Sequence, residues 1–303
     1  MKLKSIAALT LAFALVSSPL LFTACNNDSA AQNGSSSSLE TPNVPETSTP
    51  ESSIPNLDSS SNSSSGSTPP SVPVTPPSSS APSSPPEEKP EPETVQYIRC
   101  TGNNVNLRAG AGTDYTVLGT AEKGTMYAIT GKNGQWYKTY YRGKTAYFHT
   151  SYAAVFELEK TNNEKVENVI SEGYKVLGVP YVYGAVRYHD GNGKLLSGFT
   201  AQKFDCSSLV QYVFYKGAKV LLNVNTRTQI KQGKYVSRAN LRRGDCMFFT
   251  NESRQHLSGI ERVGHVAIYL GDNYILHTAS DYARIEKITA TRWKYYIESR
   301  RFL

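Results

Sequence analysis

Apolar and polar residues follow different rules in successive stretches of the chain. Behind Lys2 and Lys4 a mostly apolar run, interrupted at Thr10 and at Ser17-Ser18-Pro19, extends from Ile6 to Phe22 and ends in Thr23-Ala24-Cys25. Periodicity then disappears, and it returns near Val95 as short alternating segments separated by turn residues. Val105-Asn106-Leu107-Arg108, Thr116 to Gly119, Met126 to Ile129, Trp136 to Thr139 and Thr145 to Phe148 each alternate as half-buried strands do. Many short strands in about 60 residues predict a small β-barrel from Val95 to about Val155. Beyond it the spacing lengthens. Leu209, Val210, Val213 and Phe214 repeat at helical intervals behind Asp205, a good N-cap, so a helix is predicted to start at Cys206. Gly264 to Gly271 reads as a strand, and Gly271-Asp272-Asn273 turns it into a second strand ending at His277.

Composition separates the silent stretch from the rest. Of the 16 prolines, 14 lie between Pro42 and Pro92, and all 20 tyrosines lie after it. A segment without aromatics buries too little apolar surface to offset chain entropy, so residues 25–94 are predicted to be an extended, disordered tether. Such a tether reaches from about 45 Å as a coil to about 200 Å fully extended. It carries nine acidic residues against Lys89 alone, whereas residues 95–303 hold 29 basic and 16 acidic residues. A strongly basic folded part suits anionic polymers that carry carboxylates or phosphates. An export signal at residues 1–24 makes nucleic acid an improbable partner.

Candidate chemistry concentrates late in the chain. A cysteine in the first turn of a helix lies at the positive end of the helix dipole, which favours thiolate. A three-residue hairpin tip sets odd positions opposite odd ones, so that His265 and His277 share one face; a two-residue tip separates them. Cys206, His265 and His277 in this order suggest a cysteine hydrolase. Cys100 and Cys246 sit in strand-like patterns and are expected as buried thiols, with a bridge between them left open. The histidines lack paired zinc-type spacing, so neither a metal nor another cofactor is expected.

Several motifs together resemble the NlpC superfamily of cell-wall cysteine endopeptidases from about Glu164 onward. They are Leu177 to Gly184, Phe204-Asp205-Cys206-Ser207, Arg227-Thr228 with Gln232-Gly233, Leu241 to Asp245, and the two histidines. The resemblance implies an α+β, papain-like domain at 158–303, with helices packed on an antiparallel sheet. It implies Cys206 as nucleophile, His265 as general base and acid, and His277 as the group orienting it. Tyr181 is implied as an oxyanion donor, and Tyr183, its neighbour on the same face, as a substrate-binding residue. Asp205 and Ser207 are implied as binders of a substrate ammonium, though Asp205 is equally read as a helix cap alone. The sequence departs from the pattern at Ala185, Ser208 and Arg243, and the link from Ala185 to Phe204 is long. That link is either a flap over the cleft or a surface hairpin.

Residues 95–157 resemble the bacterial SH3-like domain through Asn106 to Gly110, Lys123-Gly124-Thr125, Gly134 to Tyr137 and Gly143 to Tyr147. Thr23-Ala24-Cys25 resembles a lipoprotein processing site, implying a lipid on Cys25 and attachment to the outer face of the cytoplasmic membrane. The expectation is a lipid-anchored hydrolase of peptidoglycan stem peptides, cutting between γ-D-glutamyl and a diamino acid. The alternatives are an amidase cutting before L-alanine and a non-catalytic wall-binding lipoprotein.

Overall fold

The computed structural model describes residues 91–303. The apolar leader, Cys25 and the tether as far as Pro90 lie outside the described residues. The first part is built from β1 (Thr94–Cys100), β2 (Val105–Arg108), β3 (Val117–Ala121), β4 (Met126–Ala128), β5 (Gly131–Asn133), β6 (Trp136–Tyr141), β7 (Lys144–His149) and β8 (Ala153–Glu159). They form antiparallel sheets ordered β4-β1-β8 and β3-β2-β7-β6-β5. Alternation accounts for β2, which buries Val105 and Leu107 and exposes Asn106. The β6–β7 tip, Arg142-Gly143, has both φ angles positive at 50° and 78°, the two-residue turn whose twist matches paired strands. β1 was not foreseen from alternation. Its neighbours Tyr97 and Ile98 are both fully buried, because β1 is covered on both faces.

The second part contains α1 (Glu164–Lys175), α2 (Cys206–Ala218), α3 (Thr226–Gln229), β9 (Lys234–Val236), β10 (Cys246–Phe249), β11 (His265–Gly271), β12 (Tyr274–Ala279), β13 (Tyr282–Lys287), α4 (Ala290–Lys294) and β14 (Tyr296–Arg301). Six strands make one antiparallel sheet in the order β13-β12-β11-β10-β14-β9. Helices packed on an antiparallel sheet give the α+β class expected from the sequence. The apolar stripe of α2 is buried as its spacing requires, at Leu209, Val210, Val213 and Phe214. α1 approaches α2 at Gly217, where a Cβ would lie 2.5 Å from Val169 Cα, so only glycine fits.

Arg243 joins the two parts. Its guanidinium donates to both oxygens of Glu167 at 2.7 and 3.0 Å, to the Tyr174 and Tyr97 hydroxyls, and to the Leu270 carbonyl. Tyr97 belongs to the barrel, Glu167 and Tyr174 to α1, and Leu270 to β11. A buried cation is tolerable only with such complete pairing. Arg99 adds a hydrogen bond to the Tyr274 hydroxyl, and Phe156 stacks on Tyr274 at 4.9 Å.

Candidate active site

α2 starts at Cys206 because Asp205 caps it. Asp205 Oδ1 accepts the Ser208 amide at 2.8 Å, and Ser208 Oγ accepts the Asp205 amide at 2.9 Å, a reciprocal capping box. The departure at Ser208 therefore has a structural reason. Cys206 is buried, and the backbone amides of Val266 and Ser207 act on its sulfur in the direction that favours thiolate. The helix end was expected to favour thiolate, but burial and the Asp205 carboxylate outweigh the amides and Arg187. The thiol is pushed up to about 12. The resting group is the thiol.

The hairpin carrying the histidines does not have the three-residue tip. Asp272 and Asn273 form a two-residue turn with φ of 47° and 64°. A register shift between Tyr269 and Gly271 supplies the missing residue, so Ile268 still pairs Leu276 and odd positions still face odd ones. His265 and His277 therefore meet, with His265 Nε2 2.9 Å from His277 Nδ1. One step further, β13 sets the Glu286 carboxylate 3.3 Å from His277 Nε2, off the line of an aligned hydrogen bond. Glu286 is in turn held by Arg292 at 2.6 Å and by Arg284 at 3.8 Å, and its pKa falls to about 2. Burial opposes that fall, while His277 and the two arginines produce it. Burial also lowers both histidines, His265 well below its ordinary value, so both are neutral near pH 7.

A carboxylate beside His277 Nε2 places the His277 proton there and leaves Nδ1 to accept from His265 Nε2–H. His265 Nδ1 is then the lone pair available to a thiol. Cys206 and His265 share the wall of a cavity of about 440 Å³ with Tyr181, Ser280 and Arg292. Across Cys206 lies a second cavity of about 160 Å³, shared by Tyr181 and Cys206 and reaching Tyr183, Arg187, Arg227 and Arg254. A chain laid across both would present its middle bond to the sulfur. Burial raises the Tyr181 phenol to about 12, with the Cys206 and Asp205 charges adding to it, so Tyr181 keeps its proton for donation. Tyr183 is 85 % exposed at the mouth of the smaller cavity.

Asp205 and Ser207 stand beside the cysteine but are already engaged. Ser207 Oγ donates to Asp205 Oδ1 at 3.0 Å, and Arg187 reaches Asp205 Oδ2 at 2.8 Å and Ser207 Oγ at 3.2 Å. Among the described residues, no group of three or more His, Cys, Asp or Glu is placed to hold a metal, and no residue of 94–159 lines either cavity. Cys100 and Cys246 are buried free thiols. Glu286 and Arg187 escaped the sequence reading. Glu286 alternates with Arg284 on an ordinary polar strand face, and Arg187 lies in an irregular link, so neither has a local signal.

Fold and site together define a helix-on-sheet domain with a cysteine at a helix start and paired histidines on a facing hairpin. Residues 178–301 match the NlpC/P60 family and residues 103–154 match the bacterial SH3 domain; the chain carries both. Among curated relatives, it is 31 % identical over 127 residues to a gamma-DL-glutamyl hydrolase of Bacillus subtilis, covering 42 % of this chain and 26 % of that one. It is 33 % identical over 113 residues to the peptidoglycan endopeptidase RipA of Mycolicibacterium smegmatis, covering 37 % and 21 %. It is 26 % identical over 216 residues to a gamma-D-glutamyl-L-lysine dipeptidyl-peptidase of Bacillus cereus, covering 70 % and 56 %. The matches thus span from about a fifth to just over half the length of these relatives.

Proposed function

We propose that the protein is a cysteine peptidase of the bacterial cell wall that cuts stem peptides after a γ-D-glutamyl residue. The observation that carries this reading is Cys206 at a helix start, sharing a cavity wall with a His265 whose far nitrogen is held by His277. The names of the relatives agree with it. His265 Nδ1 takes the thiol proton as the sulfur attacks the amide carbon. The amide C=O becomes an oxyanion facing the Tyr181 hydroxyl and the Cys206 amide. His265 then gives its proton to the leaving amine, an acyl-enzyme forms, and water attacks the thioester by the reverse route. Because thiol and imidazole both rest neutral, proton transfer accompanies attack rather than preceding it.

His277 and Glu286 act behind His265 as positioning residues, fixing its tautomer and compensating the imidazolium as it forms. Membrane attachment through a lipid on Cys25, and wall localisation with it, belong to the same proposal. The test is digestion of purified peptidoglycan by the full chain, with products identified by mass spectrometry. New termini at D-glutamate and at the amine of the diamino acid support the reading. Free L-alanine termini identify an amidase instead, and no released product overturns both.

A further inference from the structure

Arg187 lies in the link from Ala185 to Phe204, which the structure shows packed on α2 and not as an open flap. Tyr188 sits among Phe199, Tyr212 and Tyr215 at ring distances of 4.9 to 5.4 Å. Buried Gln211 binds the link's backbone, accepting from the Tyr188 amide and donating to the His189 carbonyl. This anchorage turns Arg187 inward, where its remaining donors meet the Ala185 and Val224 carbonyls. The guanidinium is thus held on every side, with its charge set against Asp205.

The consequence concerns what the smaller cavity accepts. The Asp205 side chain is only 6 % exposed, with one oxygen spent on the helix cap and Ser207 and the other on Arg187. Ser207 Oγ gives its one proton to Asp205 and accepts from Arg187, which leaves it a single lone pair beside that guanidinium. The remaining charged groups on the wall are Arg227 and Arg254, which share Glu261 at 3.6 Å each. An ammonium entering here finds no free carboxylate and three guanidinium groups.

We propose that this cavity selects substrates without a charged amino terminus, namely N-acylated peptides such as stem peptides still in amide linkage at that end, and that Arg187 is the specificity-determining residue. The inference rests on the peptidase reading above. It departs from the ammonium role that family resemblance implies for Asp205 and Ser207. An arginine placed here keeps the hydrolase off free-amine fragments and directs it to attached stems.

The experiment compares kcat/KM of the full chain for L-Ala-γ-D-Glu-diaminopimelate with a free amino terminus and for its N-acetyl form. Like charges in a confined site cost enough that the acetylated peptide should be preferred by about tenfold or more at pH 6.5. An α-amine loses its proton at about pH 8, so the preference should narrow as pH rises to about 9. Changes in Cys206 or His265 ionisation affect both peptides and cancel in the ratio. Arg187→Gln should narrow the preference even at pH 6.5; should that variant not fold, the pH dependence of the wild-type ratio decides. A ratio near one, a free-amine preference, or an unchanged ratio in folded Arg187→Gln overturns the inference and leaves the peptidase reading standing. Failure to cut either peptide, or cutting that persists in Cys206→Ala, removes the peptidase reading instead.

Discussion

At the scale of the residue, Glu286 makes the sharpest claim. Its carboxylate faces His277 Nε2 at 3.3 Å and does not itself line the cavity beside Cys206, which it meets only through its ion pair with Arg292. Replacing it should therefore change kcat and leave KM nearly alone. Glu286→Gln is expected to lower kcat by about tenfold to a hundredfold, as loss of an outer orienting partner commonly does. A fall in KM-linked binding with kcat intact would show that Glu286 acts on substrate instead. The thiol itself offers a second check. With its pKa near 12, Cys206 should alkylate with iodoacetamide ever faster from about pH 6 to about pH 9, without a plateau. Peptide mapping separates it from buried Cys100 and Cys246; a plateau below about pH 7 would mean a resting thiolate. Cys206, His265 and His277 were legible in sequence because each sits in a segment whose periodicity shows its element. Arg187 and Glu286 were not, since an ion pair between distant segments leaves no local pattern.

Elements were legible where one face is buried and the other wet. α2 and β2 follow their spacing residue by residue. β1 does not, because it is sandwiched between barrel and catalytic domain and buries consecutive residues. The hairpin tip was misjudged for a related reason: a bulge is a backbone choice that side-chain alternation hides, and here it alone keeps the histidines in register. The seam between the two parts has its own test. Arg243→Ala removes the cation from Glu167, which keeps only the Thr161 amide, and from the Tyr97 and Tyr174 hydroxyls, which keep only each other, at an expected cost of about 3–5 kcal/mol in urea denaturation of the full chain. A loss within about 0.5 kcal/mol would show that the seam does not depend on this network. Gly217→Ala should also destabilise, because the added methyl meets the α1 backbone rather than a yielding side chain.

For the whole molecule, net charge comes from the lysines and arginines, and acid stability from the buried groups behind Cys206. Residues 95–303 carry the basic surplus, and the described barrel residues line neither cavity beside Cys206. His265 and His277 have folded pKa values below their ordinary one, so the unfolded chain takes those protons first and stability declines as pH falls below about 6.5. Glu286, depressed to about 2, stabilises the fold above its ordinary carboxylate value, and that contribution is lost as pH falls from about 4.5 toward 2. Thermal melting should thus hold level from about pH 7 to 8, fall below about pH 6.5 and fall more steeply below about 4.5, with the lower limb weakened in Glu286→Gln. A midpoint that rises on acidification would contradict the buried neutral histidines.

The central claim is that Cys206 is the nucleophile, and the most direct measurement is the turnover of one N-acetylated stem peptide by wild type and by Cys206→Ala at equal folded concentration. Removing a covalent nucleophile should reduce kcat by about ten-thousandfold or more while the variant still binds the peptide. Activity retained within about tenfold of wild type would mean that another group performs the attack.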